Sequence, residues 1–596
     1  MRSVPVRVAV VAMLLLGMGL TQPTHAETRK QYEPTWKSID SRPVPEWFAD
    51  AKFGIFIHWG VYSVPAWGPK GSYAEWYLAG LRSPRSSRRA FQARVYGPDF
   101  KYKDFAPMFK AELWDPDQWA EFFARAGAKY VIITSKHHEG FCLWPSPYRP
   151  GWNAMDIGPK RDLLGDLTTA VRRKHLKMGF YYSLMDWNHP DYPDHLDQYV
   201  NQYMIPEIKD LVLRYKPDIL WGDGEWDHPA EVWKTKQLLA WIFNEAPNGN
   251  QIAVNDRWGG GIRLHHGGYF TTEYGSGLYD AKRPWEETRG MGASFGYNRN
   301  ETIDEYQSAE HLVRLLADLV SRGGNLLLNI GPTADGRIPV IMQERLVQIG
   351  DWLKVNGEGI YATRPWSVKT GEYEKAHMAR IDPVIRFPWR NGSPGGDIKA
   401  NGFHVTWTGY LQADKTGDYT LHTISDDGVR LWIDGAKVID NFSNHAPTED
   451  TAHVHLEAGR KRALKIEYFE DTGGATMMLL WSGKNLRKQI IPQKNLFSSL
   501  NQSAGDGLKG EYTSMKEPEI VYTSKGSNVY AFALRWPGKN LVLHIPKPAE
   551  GTKVTMLGLE GNLPWSYDHD SMVIDLSRVG LNNLPCRWAW GFRLAK

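Results

Sequence analysis

Cysteine is nearly absent. Cys142 and Cys586, far apart in a chain of 596 residues, are the only two, too few for a disulfide framework or a cysteine zinc site. No GxGxxG motif opens a helix, which argues against a dinucleotide-binding open sheet. An excess of one charge is missing too: 71 basic residues stand against 67 acidic ones, a net +4, so no nucleic acid or anionic membrane surface is expected as a partner. Beyond the N-terminus no apolar run is long enough to cross a bilayer, and no membrane insertion is expected. No solenoid-type repeat is visible. A chain of this length exceeds one hydrophobic core and predicts roughly two to four domains.

What is present begins with a leader. Arg2 and Arg7 precede an apolar run from Val8 to Leu20 and a small-residue exit at Thr24-His25-Ala26. This pattern predicts a signal peptide over 1–26, cut after Ala26, and an exported protein, periplasmic or secreted. Aromatic residues make up 13% of the chain, with 26 tryptophans. Indole faces stack on sugar rings as readily as they fill cores, so carbohydrate is a natural ligand class.

From about residue 46 to 350, apolar runs alternate with amphipathic stretches. The runs are 52–60, 130–138, 177–184, 217–223, 251–258, 269–275, 294–300 and 325–332. In SAEHLVRLLADLVSRGG, Leu312, Leu315, Leu316, Leu319 and Val320 share one helical face. Continuous apolar strands between such helices predict a parallel sheet covered on both faces, and eight of them predict a closed (β/α)8 TIM-like barrel. Polar residues gather where these runs end: His58, His137, His138, Tyr181, Asp223, Arg257 and Glu273. A barrel assembles its chemistry on that rim. Asp223 sits between Gly222 and Gly224, which leave room beside the carboxylate. Two carboxyl groups, Asp223 and Glu273, match the needs of glycosidic cleavage, one ionised and one protonated. Plain readings stand beside these: Trp221 as barrel packing, and one of the adjacent histidines as a brace for its loop. Nothing supplies a third ligand for a catalytic metal.

The stretches WFADAKFGIFIHWGVYSVP, EWY, KHHEGF, YYS, LWGDG, NDRWG, TEY and WEETRGMGASFGYNRNE resemble the α-L-fucosidases of glycoside hydrolase family 29 across roughly residues 35–365. The resemblance implies a retaining exo-acting enzyme that removes terminal α-L-fucose, with Asp223 as nucleophile and Glu273 as general acid/base. Glu225, Glu286 and Glu287 are local competitors for the second role. It further implies that His58, Glu75, Trp76, His137, His138, Tyr181, Trp221 and Arg257 bind fucose, and that no cofactor is required for catalysis. A partly desolvated Glu273 would hold its proton nearer neutral pH. The other readings are a hydrolase of a related α-L-sugar such as an α-L-galactoside, and a non-catalytic carbohydrate-binding, adhesin-like protein.

After residue 350 short β-runs with Gly, Asp and Asn turns predict all-β domains. GEYEKAHMARIDPVIRFPW and the run that follows resemble a PA14 domain over 370–498, some members of which bind sugar through Ca²⁺. Asp426 and Asp427 of its DDG turn would supply the oxygen ligands. The family's C-terminal β-sandwich would then be split, 358–369 plus 506–596, with the PA14-like domain inserted and the barrel ending at 357. The expected partner is a fucosylated oligosaccharide or glycoconjugate.

Overall fold

The computed structural model describes residues 30–595 apart from 276, 280, 367–374, 391, 443–446, 471–473 and 516–517. The leader read at 1–26 lies outside the described residues. Eight strands form one sheet: β1 (Phe53–Ile57), β2 (Tyr130–Lys136), β3 (Lys177–Ser183), β4 (Ile219–Asp223), β5 (Ala253–Val254), β6 (Phe270–Glu273), β7 (Trp285–Gly290) and β8 (Gly324–Ile330). Their spatial order is β5-β4-β3-β2-β1-β8-β7-β6, and the neighbouring pairs run parallel. The two end strands meet through the Tyr269 N–H, which donates to the Val254 carbonyl at 3.0 Å, and the sheet is a TIM-like barrel.

Burial explains why these segments are strands. Every residue of β1, β2, β4 and β8 is buried, as a sheet covered on both faces requires. The helix at Ala309–Ser321 starts at Ser308, whose hydroxyl accepts from the His311 N–H at 3.1 Å. It buries Leu312, Leu316, Leu319 and Val320, whereas Leu315 is only half-buried.

The seventh strand differs from expectation. Residues 294–300 form loop, and the strand is Trp285–Gly290. Its sequence, WEETRG, carries three charged residues, yet all six positions are buried. Glu286 is accommodated inside the barrel because the Tyr130 hydroxyl and the Trp221 indole N–H donate to it at 2.5 and 3.1 Å. A buried polar group is tolerable when it is hydrogen-bonded, and such partners do not show in a hydropathy pattern.

The strand at Arg364–Pro365 pairs with Ile520–Lys525 in a five-stranded sheet completed by Asn528–Ala533, Trp590–Ala595 and Lys553–Met556. A three-stranded sheet, Asn540–Leu543, Ser571–Asp575 and Trp565–Asp568, accompanies it. Between Pro365 and Ile520 the chain builds two other antiparallel sheets with a separate core that includes Phe403, Trp407, Leu431, Ile466 and Tyr468. One boundary shifts. Leu508–Met515, expected within the C-terminal sandwich, pairs with Lys375–Asp382 and Phe403–Gln412 of the inserted domain. The polar stretch before it is tied down by Asp506, which accepts from the Ser498 backbone N–H at 2.8 Å and from its hydroxyl at 2.5 Å. The barrel, by contrast, shares its core with Val521, Tyr530 and Phe532 of the C-terminal sheet. Both cysteines are free thiols.

Gly268 guards the β5–β6 junction, because a Cβ there would stand 1.5 Å from the Val254 carbonyl oxygen. Gly268→Ala is expected to destabilise the protein by about 3 kcal/mol or more. Urea unfolding followed by tryptophan fluorescence reads this, and an unchanged midpoint would show that the junction yields freely.

Candidate active site

Asp223 is the last residue of β4, and two glycines make its position possible. A Cβ on Gly222 would lie 2.6 Å from the Arg257 carbonyl oxygen, and Gly224 takes φ +76° as the chain leaves the strand. The carboxylate thus reaches a cavity of about 100 Å³ at the C-terminal end of the barrel. His58, Glu75, Trp76, His137, His138, Tyr181, Trp221, Asp223, Arg257 and Glu273 all line it. All ten residues singled out in the barrel sequence therefore meet in one pocket.

Arg257 joins the two acids. Its Nη1 lies 3.3 Å from Asp223 Oδ1 and 2.7 Å from Glu273 Oε2. The nearest carboxylate oxygens can therefore be separated by no more than the sum of those contacts, 6.0 Å. The guanidinium is fixed from the side by its Nε, which donates to Thr271 Oγ1 at 2.9 Å, and packs over the Trp221 ring at 4.7 Å. The Tyr181 hydroxyl donates to Asp223 Oδ2 at 2.8 Å, and the Tyr73 hydroxyl donates to Glu273 Oε1 at 3.0 Å.

These contacts set the charges. Burial pushes the Asp223 carboxyl above its ordinary range, Arg257 opposes the shift, and the neighbouring Glu273 adds to it. Burial acts upward on Glu273 as well, but Arg257, Arg263 and the Tyr73 hydrogen bond outweigh it and hold that carboxyl below the usual range. The direction is opposite to the expectation that Glu273 holds its proton nearer neutrality. The largest of the downward causes is Arg257.

The three imidazoles are neutral. Burial lowers His58 and His137 to about 3, and lowers His138 with help from His137 and His58. Asn329 spends its amide N–H on the Phe295 carbonyl at 2.6 Å, so its oxygen accepts from His58 Nδ1 at 2.7 Å. His58 Nε2 is left as an acceptor. Ser183 donates to the Met185 carbonyl at 2.9 Å and accepts from His138 Nδ1 at 2.7 Å, which leaves His138 the same free acceptor, 3.8 Å from Asp223 Oδ2. Glu75 accepts from the Gly296 N–H at 2.8 Å and the Ser294 hydroxyl at 3.1 Å. A small, hydrogen-bonding, aromatic-walled pocket of this kind can hold a polyhydroxylated ring beside two carboxyl groups.

Sequence comparison agrees with this chemistry. The α-L-fucosidase family model matches residues 19–358, the PA14 domain model 361–495 and the α-L-fucosidase C-terminal domain model 514–595. The chain belongs to the α-L-fucosidase family. The tissue α-L-fucosidase of Homo sapiens is 44% identical over 607 aligned residues, covering 100% of this chain and 98% of the relative. That of Mus musculus is 45% identical over 579, covering 95% of each. A crystal structure of Thermotoga maritima α-fucosidase with a mechanism-based inhibitor superposes with a TM-score of 0.62 at 30% identity, covering 95% of this chain and 100% of that one. The protein is thus a glycoside hydrolase of the α-L-fucosidase type.

Within this fucosidase the other acids stand apart from the cavity. Glu286 lies under Trp221, Glu287 pairs with Arg289 at 3.3 Å, and Glu225 is buried outside the pocket lining. Sequence reasoning missed Phe56, Tyr73, Trp226, Thr288 and Phe295, which also line the pocket. Tyr73 stands two residues before the EWY motif and Trp226 closes LWGDGEW, so adjacency to motifs was the available signal. In the inserted domain Asp427 is buried and Asp426 half-buried. Among the described residues no group of three or more His, Cys, Asp or Glu is arranged to hold a metal ion.

The buried titratable groups give stability a pH dependence. Burial raises Glu75, Glu225 and Glu286 to about 7 and Glu139 to about 8 from 4.5. Folding then favours their protonated forms, a contribution present below pH 4.5 and lost as pH rises through 7 to 8. His58 and His137, lowered from 6.5 to about 3, act oppositely: their contribution is lost as pH falls from 6.5 toward 3. Stability is expected to peak near pH 4.5 to 5, where the gain from the histidines balances the loss from the acids, and to fall toward pH 8, and Glu286→Gln should shallow the alkaline fall. Urea midpoints across this range provide the check, and a flat profile would contradict it.

Proposed function

We propose that the protein is an exported, retaining exo-α-L-fucosidase that hydrolyses terminal α-L-fucose by double displacement. The observation that carries this reading is the bridging Arg257, which limits the Asp223–Glu273 oxygen separation to 6.0 Å. Retaining enzymes place their carboxyl groups about 5–5.5 Å apart, whereas inverting enzymes leave a wider gap of roughly 6.5–9.5 Å for water.

In this mechanism Asp223 attacks the anomeric carbon while Glu273 protonates the departing glycosidic oxygen. Glu273 then takes a proton from water, which displaces Asp223 and restores the fucose with its original anomeric configuration. Glu273 must take up a proton first, since the Arg257–Glu273 contact favours its ionised form. Substrate does this by drawing Arg257 onto a sugar hydroxyl and toward Asp223, which frees Glu273 to take up a proton. Neutral His58 and His138 accept hydrogen bonds from ring hydroxyls through Nε2. Phe56, Trp221 and Phe295 offer apolar surface to a methyl group, which favours a 6-deoxy sugar over an α-L-galactoside.

For the inserted domain we read a glycan-targeting role, with calcium at Asp426 and Asp427 resting on their adjacent oxygen donors alone. A calcium-dependent rise in melting temperature, lost in Asp426→Asn, is the expected sign of that ion. Export predicts a mature chain beginning at Glu27.

Asp223→Gly is expected to lower turnover of 4-nitrophenyl α-L-fucoside by at least about a thousandfold, with partial recovery in azide. A 2-fluoro-fucosyl inactivator should leave a covalent adduct on Asp223, and NMR should first detect α-fucose. First release of β-fucose would overturn the double-displacement reading.

A further inference from the structure

A second and larger cavity, about 320 Å³, opens on the loops that follow the barrel strands, lined by Lys103, Arg149, Trp152 and Asn188 among others. It shares a wall with the fucose pocket. The Glu139 carbonyl accepts from the Trp152 indole at 3.1 Å and from Asn188 Nδ2 at 2.9 Å on the second-cavity side. The Glu139 carboxylate stands 3.4 Å from His137 Nδ1 on the other. Trp187, the residue before Asn188, packs on His138 at 5.0 Å and on Trp76 at 5.4 Å, both of them pocket residues. A chain of sugars that left the first pocket across Trp76 and Trp187 would meet this cavity next.

Acids and bases both border it: the Gly151 N–H of the lining donates to Asp156 at 2.8 Å, and one cation at the lip stands without a carboxylate. Arg149 is neutralised by Asp186, to which its Nη2 donates at 3.0 Å, and its Nη1 makes no hydrogen bond among the described residues. Lys103 is exposed and has no carboxylate partner among the described residues. A cation held without a counter-ion at the lip of a polar cavity favours an anionic ligand. The volume suits a ligand, lying at the lower end of the roughly 300–1,000 Å³ typical of small-molecule sites.

We propose that this cavity is a leaving-group subsite that selects substrates whose sugars beyond the fucose carry an anionic substituent, a carboxylate or a sulfate, recognised by Lys103 and the free edge of Arg149. The inference rests on the fucosidase reading above. The test compares a neutral fucosylated oligosaccharide with the same compound bearing sialic acid, and with a sulfated version, using 4-nitrophenyl α-L-fucoside as a control that does not reach the cavity. Wild type should show kcat/KM roughly threefold to fivefold higher on a charged substrate than on the neutral one, as a partly exposed ion pair allows, shrinking with added salt. Lys103→Ala should abolish that advantage and Lys103→Glu invert it, both with unchanged activity on the aryl fucoside. Preference for only one charged substrate would identify carboxylate or sulfate as the recognised group. Equal kcat/KM for neutral and charged substrates in wild type, or an advantage that survives Lys103→Ala, would overturn the subsite. A wild type inactive on the aryl fucoside would instead sink the fucosidase reading itself.

Discussion

One guanidinium organises the site. Arg257 Nη1 touches both acids, at 3.3 and 2.7 Å, in a pocket where the carboxylates would otherwise repel each other at close range. Two like charges this near cannot both ionise in a desolvated site without a compensating cation. By standing between them Arg257 permits their approach, and it draws both carboxyl groups toward their ionised forms against the upward push of burial.

The barrel exists to hold that triad still. Arg257 is oriented by Thr271 at the base of β6, and its flat face rests on Trp221. Trp221 is in turn held from below by Glu286, whose carboxyl also accepts from Tyr130. The sequence of contacts runs from barrel interior to floor to arginine to acids, and each step depends on a buried polar group with a partner. Such supported networks confer a unique geometry that apolar packing alone leaves looser.

The appended domains differ in how they join this frame. The C-terminal sheet contributes Phe532 and Tyr530 to the barrel's own core, so the two are one packing unit. The inserted domain has an independent core and meets the barrel at the catalytic rim, where Asn401 Nδ2 donates to the Tyr274 carbonyl at 3.4 Å. Tyr274 directly follows Glu273.

Much of this could be read from the linear order of residues, because strand ends on a parallel barrel all point to one rim. His58, the two adjacent histidines, Tyr181, Asp223, Arg257 and Glu273 each close an apolar run, and local pattern sufficed to nominate them. The pattern failed where long-range partners overrule hydropathy. WEETRG looks too charged for a buried strand until Tyr130 and Trp221 are seen to satisfy Glu286, and Leu508–Met515 joins the inserted domain only through strands a hundred residues upstream. Tyr73 and Trp226 carry no pattern of their own and reach the pocket through the course of their loops. The proton balance between the acids was beyond linear reading for the same reason. It turns on burial around Asp223 and on Arg257, Arg263 and Tyr73 converging on Glu273, which only the folded arrangement creates.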